Sequence, residues 1–375
     1  MKKLTFLVLC LEGIAVSFNV AASSALIPYI ASHFQVTEFA AGKMTWLYML
    51  PYGVAALFYG PLARAFDAKK IEVIFFSLFS LANIFCAFSK DIYFFFASRF
   101  LTGLFGSCIT PLTLILIANQ VDSTKRGKYV GVFFSATFLS SLAGLFLSGF
   151  IHWRLIYLIP GFAGLIIALL VYGFLPSFKP PMKEKISNYR AALSDRRILQ
   201  IFAYIFLVSV FYHGIQQWLG VYFARDFAFG QLTISMLITL TSFSGIFGEA
   251  IGGVMSDKFG RTKTIKIGTA LMIFSVAALI FKPNLYTLIF IMIAWGLGWT
   301  FNHVGLSTIL TDLPKKFVNE SASLNIGVRF LAGGLGALVG GLLMQKSFTF
   351  GLSIFGLMLF GLLFVEDFLL KAKGA

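Results

Sequence analysis

Apolar runs of membrane-spanning length follow one another along almost the whole chain, and they limit the folds open to it. A helix that crosses a bilayer needs about 20 mostly apolar residues. Twelve such runs can be counted among the 375 residues, and most are joined by short turns. A backbone in lipid must satisfy its own hydrogen bonds, so each run is predicted to be a helix.

Only 12% of the residues are charged, about half the share in a soluble domain. The expected fold class is therefore an all-α integral membrane protein with 12 transmembrane helices. The predicted spans are residues 4–30, 43–63, 71–89, 92–118, 129–150, 154–175, 199–223, 231–256, 264–281, 285–311, 318–345 and 347–369. The start, Met1-Lys2-Lys3 before an apolar run, imitates a signal peptide. Because the run continues to Ile30 without a small-residue cleavage site, it is predicted to be the first span.

The longest break between spans divides the chain into two six-helix bundles. We predict an N-terminal bundle at 1–175, a cytoplasmic linker at 176–198 that is first Pro-rich and then basic, and a C-terminal bundle at 199–375. An internal repeat supports this division. Gly131 and Gly144 of the first half recur at the same offset as Gly327 and Gly340 of the second half.

The excess of basic residues predicts an orientation in the membrane. The chain has 30 Lys and Arg against 15 Asp and Glu. With both termini in the cytoplasm, Arg99 and Arg329 lie inside spans and most other basic residues lie on the cytoplasmic side, as the positive-inside rule requires. The outside loops then carry Lys43, Lys90, Arg154, Arg225, Lys282 and Lys346. The positive charge thus reflects topology in the cytoplasmic membrane, and no nucleic-acid partner is expected.

A short polar hinge lies between the eighth and ninth spans, from Gly253 to Lys263. A diverged copy lies between the second and third spans, from Gly60 to Lys70. Gly260 suits a sharp turn, and a carboxylate at Asp257 can accept hydrogen bonds from a helix start or pair with a basic neighbour. A basic loop that only sets the topology is the alternative.

These motifs resemble those of the major facilitator superfamily. The pattern Gly253-x-x-x-Asp257-Lys258-x-Gly260-Arg261 is similar to the loop between the second and third helices of each half, and Arg99 to Gly106 resembles the fourth-helix motif. Pro28-Tyr29-Ile30, the stretch Asp122 to Gly127, and Trp153-Arg154 resemble the 12-helix drug:proton antiporter branch. The resemblance implies two pseudo-symmetric bundles around a central cavity, alternating access, and proton-coupled export of a drug or metabolite.

Two departures keep other transport modes open. In the first hinge, Arg64 stands where the family has an acid, Asp67 where it has a glycine, and Ala68 where it has an arginine. The fifth span reads Gly144 to Gly149 without the proline usual in the antiporter branch. A proton-coupled importer or a facilitator of an organic anion is therefore the alternative function. The resemblance also implies that the hinge residues form a gating latch: Gly253, Asp257, Lys258, Gly260 and Arg261, with Gly60, Arg64 and Asp67 in the copy.

Charged residues inside spans are candidates for function, because burying a charge in a bilayer is costly. Glu12 is the first candidate for proton coupling, since a carboxyl group in an apolar cavity can carry a proton near neutral pH. A structural ion pair or hydrogen bond is the alternative for Glu12. Glu249 either couples protons or supports the hinge. Arg99 either serves coupling or bonds to the backbone. Arg329 either faces an anionic substrate or pairs with Glu249.

Polar and aromatic side chains of four spans are candidates for the substrate cavity, since aromatic faces with few polar groups suit amphiphilic molecules. Helix packing or an interhelical hydrogen bond is the alternative for each one. The candidates are Asn19, His213, Gln216, Gln217, Trp295, Trp299, Asn302, His303, Asn325 and Arg329.

No metal site, cofactor or enzymatic activity is expected. His213 and His303 do not have the spacing of a metal site, and the three cysteines lie in apolar runs. The glycines of the eleventh span lack the Lys-Ser/Thr ending of a phosphate-binding loop, and the sequence contains no other ATP-binding signature. Active transport should therefore draw on an ion gradient, and the resemblance implies a proton gradient. A lipid-modifying enzyme would need a polar catalytic cluster at a membrane edge, and a sensor that lost transport would explain only the diverged hinge. The partners expected are a small-molecule substrate and membrane lipid, with the monomer as the functional unit.

Overall fold

The structure is a computed structural model that describes residues 1–177, 189–311 and 318–370. Within these ranges, some side chains are not described: Gly60, Ala63, Arg64, Ala118, Ser123, Thr124, Gly127, Ala191, Thr311 and residues 318–322. The regular elements of the described chain are all helices, and the chain forms two compact units, Met1–Ser187 and Asn188–Ala375. The division lies inside the predicted linker, of which residues 178–188 are outside the described ranges.

The first unit contains nine helices among its described residues. They are α1 (Lys3–Ser17), α2 (Ala22–Phe34), α3 (Glu38–Ala41), α4 (Lys43–Ala65), α5 (Ala68–Phe88), α6 (Ile92–Gly106), α7 (Ile109–Gln120), α8 (Ser123–Leu147) and α9 (Trp153–Phe174). Helices α1 and α2 are bent by 43° at a short break. Acidic residues cap several helix starts. Asp91 accepts from Phe94 N at the start of α6, and this satisfies a free donor.

The described part of the second unit contains eight helices. They are α10 (Tyr189–Ser194), α11 (Arg196–Gln216), α12 (Leu219–Phe227), α13 (Gln231–Phe259), α14 (Arg261–Ile280), α15 (Leu285–Thr311), α16 (Val318–Met344) and α17 (Phe348–Leu370). Asp195 caps α11 by accepting from Arg197 N at 3.0 Å.

Ten helical segments of the described chain are long and apolar enough to cross a membrane, or eleven if the bent pair α1 and α2 is one span. Helix α4, at the predicted second span, is not among them, but it has 23 residues. At about 1.5 Å per residue it is long enough to cross the core of a bilayer. The structure is thus the all-α membrane architecture that the apolar runs predict.

The glycines of α16 allow two helices of the second unit to pack closely. A Cβ at Gly336 would collide with the carbonyl oxygen of Val210, and one at Gly340 with the carbonyl oxygen of Gly214. Both carbonyls belong to α11. Small residues at such contacts let two backbones approach within a membrane, so this glycine pattern serves helix packing.

Candidate functional site

An aromatic stack forms the centre of the candidate substrate site in the second unit. The ring of Tyr212 in α11 lies parallel to Trp299 and Trp295 of α15, with centroids 4.0 and 5.0 Å away. The His213 ring meets Trp299 edge-on at 5.5 Å. Trp295, Trp299 and His303 share one stripe because four residues turn a helix by about 400°. Tyr212 was not predicted, although it directly precedes the predicted His213.

The predicted glutamines bond within this group. The indole Nε1 of Trp295 donates to Gln216 Oε1 at 2.7 Å, and Gln216 Nε2 lies 3.5 Å from the hydroxyl of Thr241. Gln217 Nε2 lies 3.3 Å from His213 Nδ1. These bonds hold the aromatic rings in place, so Gln216 and Gln217 position the stack.

Arg329 of α16 brings a positive charge to the stack with unused donors. Its Nε donates to Asn325 Oδ1 at 2.8 Å, one helical turn earlier. Its guanidinium lies 5.9 Å from the Trp299 ring, within range of a cation–π contact. Both terminal nitrogens are buried and have no hydrogen-bond partner among the described residues. A buried donor without a partner is costly, and an anionic group on a ligand would satisfy both nitrogens.

Glu249 and His303 form a pair beside Arg329. Their side chains are 52% and 39% exposed, and Glu249 Oε1 lies 3.0 Å from His303 Nδ1. The charge of Glu249 acts on Arg329, but its hydrogen bond goes to His303. The predicted pairing of Arg329 with Glu249 is thus electrostatic, and it leaves the guanidinium nitrogens available.

The structure places two of the predicted cavity residues elsewhere. Asn302 is fully buried and contacts α14. Its position is about 60° around the helix from Trp299, and this turns it from the aromatic stripe towards the neighbouring helix. Asn19 lies in the break between α1 and α2, where its Nδ2 donates to Asn83 Oδ1 of α5 at 2.5 Å. Both side chains make the interhelical hydrogen bonds that were the alternative prediction.

A buried pair of acids lies in the first unit. Glu12 of α1 is fully buried, and so is Glu72 of α5. Neither carboxyl group has a hydrogen-bond partner among the described residues, and the two are close enough for their charges to interact. The Cys108 thiol lies near both. Glu72 was overlooked because it is the second residue of the predicted third span, where a charged side chain usually reaches water.

Arg99 of α6 lies in a separate buried cluster of the first unit. Its Nε lies 3.4 Å from the carbonyl oxygen of Met44, and one terminal nitrogen donates to Ser23 Oγ at 3.1 Å. Its guanidinium lies 4.4 Å from the Tyr48 ring and 5.5 Å from the Tyr157 ring. Arg99 makes no ion pair with a residue that the structure describes, so backbone and aromatic contacts replace a carboxylate partner.

The second hinge has the sharp turn that its glycine predicts. Gly260 has φ of 91°, a conformation that favours glycine, and it separates α13 from α14. Asp257 and Lys258 are exposed in the last turn of α13, Gly253 lies two turns before its end, and Arg261 begins α14. Asp257 contacts no described side chain by a hydrogen bond or ion pair. A contact of Asp257 with the start of the eleventh span would involve residues 318–322, whose side chains are not described.

In the first hinge the acid Asp67 is buried and hydrogen-bonded, whereas Asp257 of the second hinge is exposed. Asp67 is buried, caps α5 by accepting from Lys69 N at 3.1 Å, and accepts a hydrogen bond from the Ser177 hydroxyl. The surroundings of Gly60 and the side chain of Arg64 are not described. Asp67 therefore fastens the start of α5 to the chain that follows α9.

Comparisons with known proteins identify the family. The model of the Major Facilitator Superfamily matches residues 9–341. This chain belongs to the major facilitator superfamily. It is 24% identical over 305 residues to the "Uncharacterized MFS-type transporter YwfA" of Bacillus subtilis (strain 168), covering 78% of this chain and 74% of that protein.

Two further matches bear on this family member. The "Multi-drug resistance efflux pump PmrA" of Streptococcus pneumoniae serotype 4 is 25% identical over 271 residues, covering 68% of this chain and 66% of the pump. The crystal structure of a D-xylose-proton symporter superposes with a TM-score of 0.75 at 14% identity, covering 96% of both chains. The latter shows the fold alone. The chain is thus a multi-pass membrane transporter of small molecules, in a family whose members are transporters rather than enzymes.

Proposed function

We propose that this transporter is a secondary active exporter that moves a small organic molecule across the cytoplasmic membrane by alternating access, driven by protons. The observation that carries the proposal is the acid pair Glu12 and Glu72, fully buried in the first unit and without a hydrogen-bond partner among the described residues. Two carboxyl groups this close cannot both ionise in an apolar interior. At least one of them must hold a proton while the pair is buried and can release it when water reaches the site.

The aromatic stack supports a substrate with a flat apolar portion. Tyr212 and Trp295 are buried within the stack, and Trp299, which stacks on Tyr212, is partly exposed. A partly exposed indole held by a buried aromatic cluster suits aromatic or amphiphilic molecules. Export is favoured by the resemblance of Pro28-Tyr29-Ile30 and Trp153-Arg154 to the antiporter branch. It is also favoured by the similarity to a protein named as a multidrug efflux pump.

A second function is supported by Arg329. Its two buried terminal nitrogens have no partner among the described side chains, and a carboxylate or phosphate can occupy both at once. A proton-coupled importer or a facilitator of an organic anion would use this guanidinium for recognition. The two functions share the site and differ in direction and in the charge of the cargo.

Transport by purified protein in liposomes tests the proposal. A panel of aromatic cations, neutral compounds and organic anions is offered with the lumen acidic and then with the outside acidic. If the protein is an exporter, wild-type protein in inverted orientation should accumulate a compound only when the lumen is acidic, because protons leaving the lumen then drive the compound inward. Glu12→Gln is expected to remove this accumulation. Asp91→Asn is the control, because Asp91 is exposed and Asn caps a helix equally well.

Accumulation of an organic anion under the opposite gradient would support the importer instead. Unchanged gradient-driven accumulation in Glu12→Gln would show that Glu12 does not couple protons to transport.

A further inference from the structure

A buried acid away from the aromatic stack is held in a cluster where four helices meet. Glu366 of α17 is fully buried, and its Oε1 lies 3.0 Å from the phenol oxygen of Tyr204 in α11. The same phenol oxygen lies 2.9 Å from Asn302 Oδ1 of α15 and 3.1 Å from the Thr269 hydroxyl of α14. One hydroxyl group, with a single hydrogen, therefore contacts three oxygen atoms.

Two glycines allow Asn302 to reach this cluster. A Cβ at Gly268 of α14 would lie 2.6 Å from the carbonyl oxygen of Gly298 and 2.7 Å from Asn302 Nδ2. Since no side chain fits there, Gly268 and Gly298 let α14 and α15 approach closely. The Asn302 amide is enclosed between the two helices.

The surroundings of Asn302 determine which way its amide points. Its Nδ2 lies 3.1 Å from the carbonyl oxygen of Gly298 and 3.5 Å from that of Ile265. Carbonyl oxygens only accept hydrogen bonds, so the NH2 group must face them. Asn302 Oδ1 then faces Tyr204, and because an amide oxygen also only accepts, Tyr204 must donate its hydrogen to Asn302.

This assignment leaves Tyr204 without a hydrogen for Glu366. Two oxygen atoms 3.0 Å apart and buried need a proton between them, and the remaining source is the carboxyl group. We propose that Glu366 is a proton-binding site, which in this structure holds a proton and donates it to the Tyr204 hydroxyl oxygen. Its second oxygen, Oε2, is buried with no hydrogen-bond partner in the described chain. An ionised carboxylate would leave that charge unpaired, and a neutral acid does not.

The charged groups around Glu366 lie on one side of it. Lys266 of α14 and Asp367 of α17 form an ion pair of 2.8 Å, with side chains 38% and 44% exposed. Helices α11 and α15 contribute the neutral Tyr204 and Asn302, and no described charged residue of α16 acts on Glu366. Asp367 directly follows Glu366 in α17, and its ion pair with Lys266 is exposed to solvent. A proton can therefore pass between Glu366 and water on the side of this pair.

Loss of the proton would rearrange the cluster, because the Tyr204 oxygen and Asn302 Oδ1, 2.9 Å apart, would lose the hydrogen between them and would have to separate. The Tyr204 hydroxyl would turn its hydrogen to Glu366, and the Thr269 hydroxyl, 3.4 Å from Asn302 Oδ1, would donate there instead. Proton binding at Glu366 thereby selects between two hydrogen-bond orders that join α11, α14, α15 and α17. This inference is independent of the cargo and of the direction of transport.

Infrared spectroscopy of the full chain in lipid nanodiscs at neutral pH tests the proposal. A protonated carboxyl group has a carbonyl stretching band that a carboxylate lacks. The difference between wild type and Glu366→Gln is expected to show the loss of one such band. Asp367→Asn, at the exposed neighbour, should retain that band. If Glu366→Gln loses carboxylate absorption and no protonated band, the proposal is wrong.

A second variant serves if Glu366→Gln does not fold. Tyr204→Phe removes the acceptor of the proposed hydrogen bond, so the Glu366 carbonyl band should shift to a higher wavenumber while the other protonated bands stay. A spectrum in the protonated-carboxyl region identical to that of the wild type would overturn the proposal.

Discussion

The two units of this transporter differ in which of their acidic residues are hydrogen-bonded. In the first unit, the buried acids Glu12 and Glu72 have no hydrogen-bond partner among the described residues, while the hinge acid Asp67 is buried and bonded. In the second unit, the buried acid Glu366 is bonded to Tyr204, while the hinge acid Asp257 is exposed. An acid with partners is tied to its helices, and an acid without them is available for exchange.

This difference indicates that the acids which transfer protons during transport are not the acids which stabilise the fold. A hydrogen bond lowers the free energy of one protonation state, and a network does so cooperatively. Glu366 is therefore expected to support the fold of its unit. The pair of Glu12 and Glu72 lacks such bonds, so its protonation state is set by access to water and by the neighbouring charge. We therefore expect the acids of the first unit to couple protons to transport. We expect protonation of Glu366 in the second unit to stabilise the hydrogen-bond network of that unit.

The largest effect should come from removing both acids of the first unit. The double variant Glu12→Gln/Glu72→Gln is expected to reduce gradient-driven accumulation by about 100-fold, at the low end of what a proton-transferring side chain contributes. Glu366→Gln should stay within about threefold of the wild type, a difference of about 0.7 kcal/mol. Flux in liposomes under an imposed pH gradient measures both. An equal loss in the two variants would remove the distinction between the units.

A smaller effect is expected on the stability of the second unit. Tyr204→Phe leaves Asn302 Oδ1 and Glu366 without their shared partner, and a buried group left unpaired costs about 1–3 kcal/mol. Unfolding in mixed micelles measures the free energy of unfolding. Tyr286→Phe is the matched control, because Tyr286 is 77% exposed and should change stability by less than about 0.5 kcal/mol. A loss no larger than in the control would show that the cluster does not support the fold.

The smallest effects are expected at the hinges, and they should differ in kind. Asp67→Ala removes a helix cap and should lower the free energy of unfolding by about 1 kcal/mol. Asp257→Ala should leave stability within about 0.5 kcal/mol, because the side chain is exposed.

Transport should show the reverse order at the two hinges. Asp257→Asn is expected to lower the transport rate more than Asp67→Asn, since Asn preserves the cap at Asp67 while it removes the charge of the predicted latch at Asp257. Initial rates in the same liposomes would measure this. Equal tolerance of both substitutions would argue against a latch.

Several features could be predicted from residues close together in the sequence. The apolar runs predict helices because a lipid-facing backbone has no other hydrogen-bond partners, and Gly260 marks a turn that only glycine makes readily. The two buried acids Glu72 and Glu366 also lie inside the predicted spans. They were not recognised as buried because each lies near the end of its span, where a side chain normally reaches water. The cytoplasmic location of both termini stays a prediction.

By itself, the sequence determined the helices, the turn at Gly260 and the family, all of which depend on local pattern. The two-part repeat stays a prediction. Only the tertiary structure decided which polar side chains meet. Tyr204 and Glu366 are 162 positions apart, and Asn302 turns from the aromatic stripe towards α14 by less than a quarter of a turn. Such partnerships depend on how neighbouring helices cross, because the crossing decides which helix face meets which. Glu366 therefore has a hydrogen-bond partner, and Glu12 and Glu72 have none among the described residues.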